Sequence, residues 1–341
     1  QPQTALLWRE DAHDDGQDPA GFRDGIELCL ALATNDGGLD ARLHYDTALF
    51  ERDEAERFLR CWRTLLEEAM RDPSSRVGDL PVLDAAMRQQ ILRDWNATEA
   101  EYPLEVCAHR LFEAQAATTP DAVALVFGAQ RSSYGELNAR ANRLAHWLRA
   151  RGVGPGDRVA LMLDRGFAMV EAILATLKAG AAYVPIATDA PEERLRFMLD
   201  DATPSLLLTD ASRPAAEAFD VVAVRLDALT DALAAQSEAN ADDAMPSSQP
   251  AYIIYTSGTS GQPKGVLVSH RNLANFCFWC RDAGFTASGM RMTQFAPYTF
   301  DASAGEIFAA LLVGAELHLL DGATIQDPAR LQTYMRAQAI G

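Results

Sequence analysis

Tyr255-Thr-Ser-Gly-Thr-Ser-Gly-Gln-Pro-Lys264-Gly265 lies between two apolar runs, Ala251-Tyr252-Ile253-Ile254-Tyr255 and Val266-Leu267-Val268. Both runs read as strands. The stretch holds four hydroxyls (Thr256, Ser257, Thr259, Ser260), three glycines (Gly258, Gly261, Gly265) and Lys264. Glycine permits positive φ and close backbone approach, so such a loop can turn its N–H groups onto an anion. The hydroxyls add donors, and Lys264 adds a compact positive charge. The pattern predicts a polyphosphate grip that waits, poorly ordered, for its anion. A polar hairpin loop is the plainer alternative; the density of hydroxyls and glycines favours the grip. It is not a Walker A loop, because Pro263 precedes the lysine and a strand follows it.

Outward from this stretch, strand-like and helix-like segments alternate from about residue 109 onward. That is the pattern of an α/β fold with parallel strands. Strands are predicted at 123–127, 159–163, 181–186, 206–209 and 292–296. Helices are predicted at 134–149, 167–179, 191–202, 272–281, 306–312 and 328–337. Ser133 with Glu136 three residues on is a capping box at the start of the first of these helices. Residues 227–250 are rich in Ala, Asp and Ser and read as exposed. Nearer the N-terminus, two strands around Asn35-Asp-Gly-Gly38 form a hairpin signal. A helix over 51–71 follows by its apolar spacing. Two strands and one helix are too little to fold alone, so this piece is expected to dock on a partner surface. A short helix is predicted at 85–96.

The 341 residues are 48% apolar, enough for real cores. No apolar run reaches the ~18 residues of a membrane span. The N-terminus has neither basic region nor apolar core of a signal peptide. A net charge of −18 argues against nucleic acid as a partner. The five cysteines suggest a reducing, cytoplasmic setting. Cys277 and Cys280 have redox or zinc-like spacing, but they lie on an apolar helix and read as core residues. The six histidines are isolated, and none has a spacing that points to a metal or a triad.

The order Thr-Ser-Gly-Thr-Ser-Gly-x-Pro-Lys-Gly resembles the signature of the adenylate-forming superfamily. That superfamily includes acyl-CoA synthetases, luciferases and the adenylation domains of nonribosomal peptide synthetases. Three further segments resemble adenylation-domain motifs in the expected order: Ser133-Tyr-Gly-Glu-Leu137, Leu177-Lys-Ala-Gly-Ala-Ala-Tyr-Val-Pro-Ile186 and Phe300-Asp-Ala-Ser303. One departure is visible: Ala187-Thr188 stand where the family usually has Asp-Pro. Tyr45-Asp-Thr-Ala-Leu-Phe50, the helix after it and Leu80-Pro-Val-Leu83 resemble the end of a condensation domain. The chain has no adjacent His pair, so condensation chemistry is not encoded in it.

The resemblance implies a division. Residues 1–71 would be the end of a condensation domain, a small α+β tail. Residues 72–108 would be a linker. Residues 109–341 would be the N-terminal part of an incomplete adenylation domain. It also implies roles. Thr256, Ser257, Gly258, Thr259, Ser260, Gly261 and Lys264 would hold ATP phosphates, with Lys264 catalytic. Asp301 would pair with a substrate α-ammonium; Phe300, Ala302 and Gly305 would line the substrate pocket. Gly305 stands where many relatives carry bulk, which implies space on that wall. A lone carboxylate at this place would otherwise be read as a helix cap. Acyl-CoA synthetases usually lack the aspartate, so the substrate implied is an α-amino acid. ATP, Mg²⁺ held by a residue beyond this chain, and a phosphopantetheine carrier are the implied cofactors. The rest of the condensation domain, the adenylation C-terminal subdomain and the carrier domain are the implied partners. The alternatives are a structural fragment without activity and a ligase for plain carboxylic acids.

Overall fold

The computed structural model describes residues 4–9, 26–35, 38–210, 219–241, 245–257 and 262–340. The chain divides into two compact units after Glu101.

The first unit holds β1 (Thr4–Arg9), β2 (Leu28–Asn35), β3 (Gly38–Tyr45), α1 (Arg52–Arg71) and α2 (Ala85–Leu92). β2 and β3 form the expected hairpin, with Asn35 opposite Gly38. The sequence reading missed β1, which pairs parallel to β2. A six-residue strand whose partner begins at Leu28 carries no hairpin signal. Glu51 and Glu54 form a capping box on α1. Only Ala55 and Thr64 of that helix are buried.

The second unit begins with α3 (Ala108–Thr118), β4 (Val123–Phe127), β5 (Gln130–Ser133), α4 (Tyr134–Arg149), β6 (Arg158–Met162), α5 (Phe167–Ala179) and β7 (Ala182–Pro185). Then come α6 (Glu192–Ala202), β8 (Leu206–Thr209), β9 (Ala223–Arg225), α7 (Thr230–Ala234), β10 (Pro250–Ser257), β11 (Pro263–Ser269) and α8 (His270–Asp282). β12 (Arg291–Gln294), α9 (Asp301–Leu311), β13 (Glu316–Leu319), α10 (Gly322–Gln326) and α11 (Pro328–Ala337) complete it. One sheet has the order β11-β10-β7-β6-β8-β9 and the other β12-β13-β4-β5. All pairings in both sheets are parallel except β10–β11 and β4–β5.

Parallel strands covered on both faces read as unbroken apolar runs, and every residue of β7 and β8 is buried. α5 is buried from Met169 to Ala179 apart from Glu171, which is mostly covered. It belongs to one core that takes in residues of both sheets, with α4, α8 and α9. The Ser133–Glu136 capping box starts α4 as its sequence requires. The 227–250 segment is not simply exposed. It carries α7, buries Ser247, and sends Asn240 to Asn142 and to the buried Lys178. Polar composition hid these long-range bonds.

Candidate functional site

The carboxyl ends of β6, β7, β8 and β10 share one edge of the larger sheet, since these strands run parallel. Ligands of open α/β sheets bind outside such an edge. The β10–β11 ladder extends to Ser257 opposite Pro263. Thr256, Ser257 and Lys264 are therefore strand residues, and all three are exposed. Thr256 Oγ1 donates to the Lys264 carbonyl at 3.4 Å. Gly258, Thr259, Ser260 and Gly261 lie outside the described residues. Gly265 is not a loop glycine. It sits opposite Tyr255 in the ladder, where a Cβ would stand 3.0 Å from Ile253 Cγ2 and 3.3 Å from Tyr255 Cζ. Its lack of a side chain makes room for that ring. The Tyr255 hydroxyl in turn donates to Asp201 at 2.5 Å.

The segment leading from β12 to α9 is fixed at both ends. Tyr298 is buried, and its hydroxyl accepts the Leu163 N–H at 3.0 Å. It faces the carbonyls of Ile186 at 2.6 Å and Leu161 at 2.9 Å. The Glu306 carboxylate accepts the N–H groups of Phe295 at 3.0 Å and Ala296 at 3.1 Å, and Gln294 Nε2 at 3.1 Å. Arg165 donates to the carbonyls of Gln294, Phe295 and Ala296. Burial raises the Glu306 pKa against the pull of these donors.

α9 begins at Asp301, earlier than the sequence pattern predicts, with Phe300 as an extended N-cap that makes no side-chain cap bond. Asp301 is thus the first helical residue and not the cap. Its Oδ1 accepts the adjacent Ala302 N–H at 2.9 Å. The carboxylate is exposed at the positive end of the helix dipole. Burial, then the charges of Asp301 and Cys277, raise the Tyr252 phenol to about 12. Phe300 is exposed and Ala302 follows it into solvent. The space expected at Gly305 is filled: a Cβ there would lie 2.7 Å from Cε1 of Phe276. A cleft of about 340 Å³ is bordered by Pro185, Asp189, Arg194, Tyr255 and Phe300. Arg194 supplies a cation beside the end of β10. The sequence reading missed it because nothing in the 191–202 pattern marks it off from a solvated helix face.

The structure also brings together residues that spacing kept apart. One ligand atom each of Cys107, His109 and His270 lies within 4.8 Å of the others, and all three residues are buried. Among the described residues, His109 Nδ1 and His270 Nε2 have no hydrogen-bond partner. The surroundings oppose a cation. Burial, then His270, Lys178, Arg110 and Arg149, hold the His109 pKa well below 6.5. Burial lowers His270 to about 4 and raises the Cys107 thiol. His270 Nδ1 accepts the Ala108 N–H at 3.3 Å, and the thiol donates to the Met245 carbonyl at 3.4 Å. The cluster is an uncharged junction between the starts of α3 and α8.

Residues 112–340 match the family model described as AMP-binding enzyme. The chain is 36% identical over 319 residues to surfactin synthase subunit 1 of Bacillus subtilis (strain 168), covering 92% of this chain and 9% of that protein. It is 40% identical over 326 residues to tyrocidine synthase 3 of Brevibacillus parabrevis, covering 95% of this chain and 5% of that protein. The chain thus spans under a tenth of these curated relatives. Among solved structures it resembles a holo four-domain nonribosomal peptide synthetase bound to AMP and glycine. There the TM-score is 0.79, with 26% identity over 99% of this chain and 27% of that one. It also resembles the synthetase FmoA3 in its alpha-methyl-L-serine-AMP bound form. The TM-score is 0.73, with 28% identity over 93% of this chain and 36% of that one.

Proposed function

The chain belongs to the AMP-binding enzyme family, and from that premise we propose that it is part of a peptide synthetase module activating an α-amino acid with ATP. The observation that carries the reading is the exposed Asp301 carboxylate in the first turn of α9, three residues after Tyr298, whose hydroxyl meets the Leu161 and Ile186 carbonyls at the carboxyl ends of β6 and β7. A carboxylate there orients an α-ammonium and selects against acids that lack it. The substrate carboxylate attacks the α-phosphorus, the α–β phosphoanhydride bond breaks, and pyrophosphate leaves. Thr256, Ser257 and Lys264, with Gly258 to Gly261, would neutralise and hold that leaving group. Among the described residues, the exposed hydroxyls of Thr256 and Ser257 and the exposed Lys264 at one strand end fit a polyphosphate. A phosphopantetheine thiol on a carrier domain then gives up its proton and attacks the aminoacyl carbonyl, the thioester bond forms, the acyl–phosphate bond breaks, and AMP leaves. The Mg²⁺ ligand is proposed to lie in the adenylation domain beyond residue 341.

Residues 1–71 are proposed as the end of a condensation domain, 72–108 as a linker and 109–341 as the adenylation part. Exposed Leu6 and Trp8 on β1 support a covering partner for the first piece, here the rest of the condensation domain. The cytoplasm is the proposed location; the five cysteines are free, and among the described residues no helix is long and apolar enough to cross a membrane.

The test is ATP–pyrophosphate exchange in the full-length protein, with amino acids and their des-amino analogues. Exchange that requires the amine supports the reading. Equal exchange with the analogues favours the plain carboxylic-acid ligase. No exchange with any acid favours the structural fragment.

A further inference from the structure

We infer that the Phe276 ring, and not residue 305, forms the wall of the amino-acid pocket beside Asp301, making Phe276 a specificity-determining residue for an apolar substrate side chain. The inference rests on the proposed role of Asp301. Gly305 lies four residues after Asp301 in α9, so both occupy one face of the helix. A Cβ at 305 would meet Phe276 Cε1 at 2.7 Å and Cζ at 3.3 Å. The ring from α8 therefore takes the volume that a side chain at 305 would fill. It is not a core ring: 44% of Phe276 is exposed. Its ring also lies near Trp279, with ring centroids 5.9 Å apart, and Trp279 lies 5.4 Å from Phe285. α8 packs along α9, which sets the Phe276 turn of α8 beside the first turns of α9.

A ligand whose ammonium is held at Asp301 has this aromatic face next to it. A phenyl ring offers dispersion and no hydrogen bond. A polar side chain set against it would lose solvation without a partner. The pocket would therefore favour aliphatic or aromatic amino acids, and the reach of the ring would set their size.

The experiment is pyrophosphate exchange in the full-length protein over a panel of apolar, polar and charged amino acids, plus the des-amino analogue of the best one. Phe276→Ala and the milder Phe276→Leu are compared with wild type. Wild type is expected to prefer an apolar side chain. Phe276→Ala should move kcat/KM toward larger side chains by about tenfold, with Phe276→Leu between the two. Gly305→Ala should narrow the pocket in the wild-type background and have little effect in Phe276→Ala, since the two positions share one volume. An unchanged ranking in both Phe276 variants, or a polar preference in wild type, overturns the inference while leaving amine dependence intact. Equal use of the des-amino analogue by wild type overturns the Asp301 reading itself, and this inference with it.

Discussion

The Tyr298 hydroxyl stands 2.6 Å from the Ile186 carbonyl oxygen. Tyr298 lies three residues before Asp301, and Ile186 follows the last residue of β7. One hydroxyl therefore ties the approach to the proposed substrate carboxylate onto the carboxyl edge of the parallel sheet. Its bond from Leu163 N–H adds the end of β6.

Tyr298→Phe removes that tie and leaves the Leu163 N–H and Ile186 carbonyl buried without it. A loss of about 1–3 kcal/mol of stability is expected, read as a lowered midpoint in denaturant melts. The KM for the amino acid should rise more than kcat falls, because the hydroxyl positions Asp301 and touches no reacting atom.

Asp301→Asn should cut amino-acid activation severely. Removing one member of a desolvated charge pair costs about 3–5 kcal/mol, at least about a hundredfold in kcat/KM. A des-amino analogue should lose far less. Equal losses for the two would show that Asp301 serves only its own helix.

Lys264→Ala should lower kcat for adenylation by about a hundredfold, the scale of one lost transition-state donor. Amino-acid binding, measured calorimetrically without ATP, should hardly change. Lys264 is exposed on β11, so the fold should keep its melting midpoint.

His270 should make the second unit acid-sensitive. Burial lowers its pKa from 6.5 to about 4. The unfolded chain takes up a proton below 6.5 while the folded one resists until about 4. Stability is therefore full above 6.5 and is lost as pH falls through this window, by up to about 3 kcal/mol. His109, held low by burial and by the neighbouring His270, Lys178, Arg110 and Arg149, adds in the same direction. His270→Gln should flatten the slope of unfolding free energy between pH 6.5 and 4.5.

Much of the second unit was legible from local pattern. α4 begins at the Ser133–Glu136 box, and α5 and β8 have the predicted bounds, because caps and apolar runs are local signals. The four-residue strand β13 was not legible, since it takes its conformation from β12 and β4, distant in sequence; β5 pairs with β4 next to it across a tight turn, but Gln130 to Ser133 carry no apolar alternation. α9 was expected to start at residue 306 because Asp301 to Gly305 lack an apolar stripe, yet packing extends the helix back to Asp301.

The sequence by itself determined the β10–β11 strand pair, its hydroxyls and lysine, the alternation that makes a parallel sheet, and the family. These are written in neighbours a few residues apart, where the two-residue and 3.6-residue periods act. Only the tertiary structure decided what meets what. It set Gly265 beneath the Tyr255 ring, filled the space at Gly305 with Phe276, and gathered Cys107, His109 and His270 into one buried junction. The Gly305–Phe276 meeting and the buried junction join separate elements of the chain. Core packing chooses them, because a close-packed interior accepts only side chains whose shapes interlock.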